Sequence, residues 1–193
     1  DEVGGRSVKP YQPEGYWVHL NFPKRKYAHD EGDKQYRRGV YTYWCRTFLH
    51  PSLAAFDASS REECVVERVR SNTPQQALVL LNDPTYVEAA RTFAERIVSD
   101  GGDSTVERLE FAYTEAVSRD PSANESKLLG ELFESHLKQF RKETDAAESL
   151  LKTGLRESAA KSDKVDKSDP AELAAWTSVA RVIFNLHEFI TRQ

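Results

Sequence analysis

The sequence predicts a mainly α-helical protein, with an irregular N-terminal arm followed by an antiparallel bundle of about five helices. Three observations carry this. Prolines and glycines crowd the first 35 residues (Pro10, Pro13, Pro23, Gly4, Gly5, Gly15, Gly32), which excludes a sustained regular element there. From Thr73 onward, capping residues recur just ahead of apolar runs. Those runs keep the spacing of one helical face, and the short connections between them favour antiparallel neighbours.

Residues 1–35 read as an extended, aromatic-rich arm, and residues 36–193 as a helical domain with a polar loop at 156–168. The arm holds Tyr11, Tyr16, Trp17, Leu20, Phe22 and Tyr27, more apolar anchors than a free linker carries, so it is expected to wrap over the fold. Tyr36, Val40, Trp44 and Phe48 recur every four residues and predict a helix ending before Pro51. The alternation of Tyr41, Tyr43 and Cys45 would suit a strand; the helix is preferred. An irregular stretch through Asp57 follows, with a brief extended piece at Cys64-Val65-Val66.

Thr73-Pro74-Gln75-Gln76 combines a capping hydroxyl, a proline at the first helical position and a glutamine at the third, opening a short buried helix with Leu78, Leu80 and Leu81. Asp83-Pro84 starts a second, with Tyr86, Val87, Ala90, Phe93, Ala94, Ile97 and Val98 on one face and Gly101-Gly102 at its end. Ser104 with Glu107, and Ser122 with Glu125, are capping boxes for two more helices. A continuation through Leu150 and Leu151 stops at Gly154. Asp169-Pro170 opens the last helix, whose apolar residues Leu173, Trp176, Ala180, Ile183 and Ile190 cover so much of its surface that it should lie centrally.

Charged residues make up 30% of the chain, and the net charge of −4 divides into +3 over residues 1–50 and −7 over the rest. Neither half has the dense basic patch of a nucleic-acid binder. No apolar run approaches the roughly 20 residues needed to cross a bilayer. The 193 residues contain no methionine, so the chain is expected to be a segment of a longer protein.

Cys45 and Cys64 are too few for a disulfide scaffold or a zinc site, and no C-x-x-C-H haem attachment sequence occurs. In an oxidising compartment they could pair across 18 intervening residues, a bond worth on the order of 3 kcal/mol. Reduced, they are small buried apolar residues. Both readings stand.

Three stretches, GGRSVKPYQPEGYW, YRRGVYTYWCRTFLHPSLAAFDASSREECVVERVRSNTPQQALVLLNDP and DPAELAAWTSVARVIFNLHEFITRQ, resemble the planctomycete-type C-terminal domain of unknown function. That domain is found in large exported proteins that often carry a planctomycete cytochrome c module. The resemblance implies a periplasmic, envelope or extracellular location and haem c in an upstream module, with no cofactor in this chain. It also implies a polysaccharide-using setting, but no known reaction. The family domain normally begins upstream of Asp1. At Cys45 the family usually has lysine or another polar residue, so a Cys45–Cys64 disulfide would be particular to this chain; Cys64 is ordinary for the family.

The densest polar cluster runs from Asp57 to Asp83 and includes Arg61, Arg68, Arg70 and Asn72. Arginines beside a helix N-terminus can hold a carboxylate or sulfate, although internal ion pairs and caps account for the same residues and are commoner. Trp17 and Trp44, with the tyrosines around them and interleaved Lys and Arg, could stack on sugars or pin the arm to its own domain or to a neighbour. His19, His29, His50, His136 and His187 lack metal-ligand spacing, and no catalytic motif is present. The expected function is a non-catalytic accessory or interaction domain docking on upstream domains of the same protein through the aromatic arm. The alternative is recognition or processing of anionic polysaccharide through Arg61, Arg68 and Arg70.

Overall fold

The computed structural model describes residues 3–19, 24–46, 48–60, 62–156 and 169–191. The polar loop expected at 156–168 therefore lies, beyond Arg156, outside the described residues. The protein is mainly helical with an irregular N-terminal part, as the sequence predicts, and it divides into two compact units, residues 1–76 and 77–193.

In the first unit regular structure is sparse. Single 3₁₀ turns form at Tyr16–His19, Gly32–Tyr36 and Gly39–Tyr41, followed by the short helix α1 (Pro51–Ala55). The helix expected over Tyr36–Phe48 is not there. Thr42 instead bridges Val8 in parallel and Cys45 bridges Phe48. The Val8 amide donates to Tyr41 O at 2.9 Å, and the Tyr43 amide to Val8 O at 2.7 Å. Tyr41-Thr42-Tyr43 is a run of β-favouring residues, and this long-range pairing decides a pattern that was locally ambiguous. The stretch expected to be irregular after His50 also holds a turn of helix, because Pro51 stands at the start of α1, where its missing N–H costs nothing.

Side chains replace a regular ladder in the arm. Asp30 Oδ2 accepts from the Lys9 amide at 2.7 Å, Gln35 Oε1 from the Tyr11 amide at 2.8 Å, and the Tyr27 hydroxyl donates to Pro10 O at 2.6 Å. Irregular backbone can be buried only when its polar groups are matched in this way. The small core they frame contains Val8, Trp17 and Cys45.

Helix α2 (Pro74–Asn82) carries the chain into the second unit. There α3 (Pro84–Asp100), α4 (Thr105–Val117), α5 (Ala123–Lys142), α6 (Thr144–Leu151), α7 (Pro170–Phe184) and α8 (His187–Ile190) follow. The expected caps form: Asp83 accepts from the Thr85 amide, Asp169 from the Ala171 amide, and Ser104–Glu107 and Ser122–Glu125 are both closed capping boxes. Helix α7 packs against α3, α5 and α6. Trp176, Val179, Ala180 and Ile183 on it have no exposed surface, and the Trp176 ring lies 4.3 Å from that of Phe133. Its buried hydroxyls turn inward on the helix, Thr177 donating to Leu173 O and Ser178 to Ala174 O. The helix expected to reach Ile190 stops at Phe184, and α8 begins afresh after Leu186.

Two buried charges in this unit are matched by backbone groups. Glu88, 3% exposed, accepts from the amides of Leu155 and Arg156. Arg91, 6% exposed, donates to the carbonyls of Leu151 and Arg156. Together they clamp the turn after α6, where Gly154 has φ +107°, a conformation that side chains with a Cβ resist.

Candidate functional site

Two places in the first unit have geometry suited to recognition. One is a cavity of about 590 Å³ whose walls include Tyr11, Glu14, Trp17, Arg25, Lys26 and Tyr27. Trp17, only 9% exposed, stacks on Tyr27 at 5.3 Å, lies 5.4 Å from Phe48 and donates its Nε1–H to Gln12 Oε1 at 2.5 Å. Lys9 sits 6.0 Å from the centre of the Tyr27 ring and 5.2 Å from that of Tyr43. Burial, helped by Asp30, raises the Tyr27 phenol well above its ordinary range, which keeps it a neutral donor to Pro10 O.

The other is the stretch from Glu62 to Arg70. A latch closes behind it: Asp57, at φ +56°, accepts from the Ser71 amide at 2.9 Å, the Ser71 hydroxyl at 2.6 Å and Gln76 Nε2 at 3.4 Å. Those bonds, chiefly Ser71's, lower the Asp57 carboxyl, with Arg68 nearby adding to the effect. Thr73 and Gln76 complete the predicted capping arrangement, each bonding the other's amide. Residues 62–70 stand in water. Val65 is 53% exposed, Val66 fully exposed and Val69 71% exposed. Among the described residues no backbone–backbone hydrogen bond involves residues 62–72.

Of the residues singled out in the sequence, Arg61 lies outside the described residues. Arg68 and Arg70 are exposed and share a shallow depression of about 360 Å³ with Glu67 and Val69, and no tryptophan forms its wall. Asn72 is exposed, Trp44 half-buried, and Trp17 belongs to the aromatic cavity. Both cysteines are free thiols, Cys45 buried and Cys64 exposed. Arg25 and Lys26 at the cavity are two of the cations interleaved with the arm's aromatics in the sequence, whereas Glu14 was missed because nothing local marks it. The valines had a signal, three of them among five charged residues, and the brief extended piece expected at Cys64-Val65-Val66 is not assigned as a strand.

The most strongly perturbed charges belong to the second unit. Arg119 donates to Glu125 at 2.9 Å and to Glu188 at 2.8 Å. Tyr113 also bonds Glu125. The guanidinium and the Tyr113 hydroxyl hold Glu125 far below the usual carboxylate range, Arg119 is raised in turn, and burial with the Glu125 contact pushes Tyr113 up to about 12. Every member is already partnered, so the cluster fastens the start of α5 to α8 and offers no poised acid or base. Among the described residues no group of three or more His, Cys, Asp or Glu could hold a metal ion, and no helix is long and apolar enough to cross a membrane.

The profile of the family described as "Protein of unknown function (DUF1553)" matches residues 1–133. The chain belongs to that family. Both recognition-suited places fall inside the part matched to DUF1553, whereas α7 lies beyond it. No curated protein and no solved structure matches the chain.

Proposed function

We propose that this DUF1553 chain is a non-catalytic accessory domain of an exported multidomain protein, docking on another module of that protein through residues 62–70. The observation that carries the reading is the row Val65, Val66 and Val69, held in water on a stretch that, among the described residues, makes no backbone–backbone hydrogen bond. Full burial of one valine is worth about 1.5–3 kcal/mol, and a water-facing loop ordinarily consists of polar residues. An apolar segment with free N–H and C=O groups is suited to pairing with a partner's backbone while its valines enter apolar pockets. The aromatic arm, the docking element expected from sequence, has its rings engaged within its own unit, so the docking role is assigned to the valine stretch. Export and a haem-bearing neighbouring module come from the planctomycete-type resemblance.

Val66→Asp and Val69→Asp test this in the full-length protein. Both sites are exposed, so the isolated chain should keep its melting temperature while the full-length protein loses several degrees. Full-length protein as stable as its unsubstituted form would overturn the docking role.

A further inference from the structure

We propose that the cavity beside Trp17 binds an acidic saccharide, its carboxylate or sulfate held by Arg25 and Lys26 and its hydroxyls by Glu14. The inference is independent of the docking stretch.

Charge comes first. Arg25 and Lys26 both line the cavity and are exposed, and among the described residues neither makes a salt bridge to a carboxylate. Arg25 is steadied by donating from its Nη1 to the Tyr43 hydroxyl at 3.3 Å, which leaves the rest of its planar fork for an incoming anion. The ammonium of Lys9, over Tyr43 and Tyr27, adds a third positive charge behind the wall. Glu14 is the one acid among the described lining residues. The Asp30 carboxylate, which acts on Tyr27, offsets Lys9, but among the described lining residues Arg25 and Lys26 outweigh Glu14, so the lining is net positive with one strong acceptor.

Shape and chemistry narrow the anion. At about 590 Å³ the cavity falls within the range of small-molecule sites, roughly 300–1,000 Å³. Trp17 is nearly covered and already stacked on Tyr27 at an interplanar angle of 21°, so it offers little ring face to a flat nucleobase. A carboxylate such as Glu14 accepts hydrogen bonds only, and its natural complement is a hydroxyl donor. A ligand that is anionic at one end and rich in hydroxyls at the other is a uronic or sulfated sugar.

The test is calorimetric titration of the 193-residue chain with trigalacturonate, sulfated maltotriose and unmodified maltotriose. Saturable binding of one or both acidic sugars, and none of maltotriose, is expected; whichever acid binds identifies the headgroup. Arg25→Ala and Lys26→Ala should each weaken binding about tenfold, the effect of losing one charge-assisted contact. Glu14→Ala decides between a built site and general attraction to a basic surface. Loss of a hydroxyl acceptor weakens binding, whereas removal of a negative charge alone would tighten it. All three side chains are exposed, so the variants should fold, as circular dichroism would verify. No saturable binding of either acidic sugar, equal binding of maltotriose, an unaltered Arg25→Ala, or tighter binding by Glu14→Ala would each overturn the proposal.

Discussion

Replacing Gly154 with alanine should destabilise the helical unit by about 3–6 kcal/mol, through two separable costs. The first is conformational, because a residue with a Cβ forced into a glycine-only region loses roughly 1–3 kcal/mol. The second is steric and polar. A Cβ at Gly154 would stand 2.6 Å from Glu88 Cβ and closer still to its carboxylate. Glu88 must then move and release the amides of Leu155 and Arg156, each costing about 1–3 kcal/mol if left buried and unmatched. The loss is capped by the free energy that pins this turn, since the turn can detach. For a chain of this size each kcal/mol lowers Tm by roughly 2–4 °C, so a fall of roughly 6–24 °C is expected in a thermal melt followed by far-ultraviolet circular dichroism. Gly32→Ala is the control: φ is +63° there, but nothing lies within 4 Å of the added Cβ, and the expected loss is only about 1–2 kcal/mol. Equal losses at the two glycines would refute the role given to Glu88.

The Arg119 cluster predicts an acid limb. The folded state holds Glu125 and Glu188 below the ordinary value of 4.5, so their contribution is complete above that pH and is lost as pH falls through the depressed folded values. Acid unfolding followed by circular dichroism should show this decline, and Arg119→Ala should flatten it by returning both carboxyls towards the ordinary range; an unchanged profile would count against the cluster. Asp57→Ala should free the latch on Ser71, increasing protease cleavage between residues 58 and 71 while the helical circular dichroism of the second unit stays the same. Cleavage at the wild-type rate would show that the latch does not restrain the loop.

Helices were legible in the sequence wherever a local rule fixed them. A serine or aspartate side chain at Asp83, Ser104, Ser122 or Asp169 satisfies amides two or three residues away, so no distant contact is needed to read it. The breadth of the apolar surface on α7 likewise announced its central place. The stretch from Tyr36 to Phe48 was misread because its aromatic spacing fits a helix and its alternation fits a strand, and the tie is broken by Val8, more than thirty residues away in the chain. The break after Phe184 was hidden by the continuing apolar period through Ile190.

Candidate sites were less legible for the same reason. Trp17 was picked out as an aromatic in a loop, yet its role depends on Gln12, Tyr27 and Phe48 converging on it, and Arg25 and Lys26 gain meaning only once the cavity exists. Arg68 and Arg70 do share one surface depression, but Asp57, drawn beside them in the sequence cluster, is spent on Ser71 and Gln76.

Docking through residues 62–70 is most directly tested by amide hydrogen exchange, comparing this chain alone with the same residues in the full-length protein. The amides of residues 63–70, which among the described residues lack backbone partners here, should exchange at near-unprotected rates in the chain alone and be slowed at least tenfold in the full-length protein. Equally fast exchange in both would mean that nothing covers the valine stretch, and the docking account would be wrong.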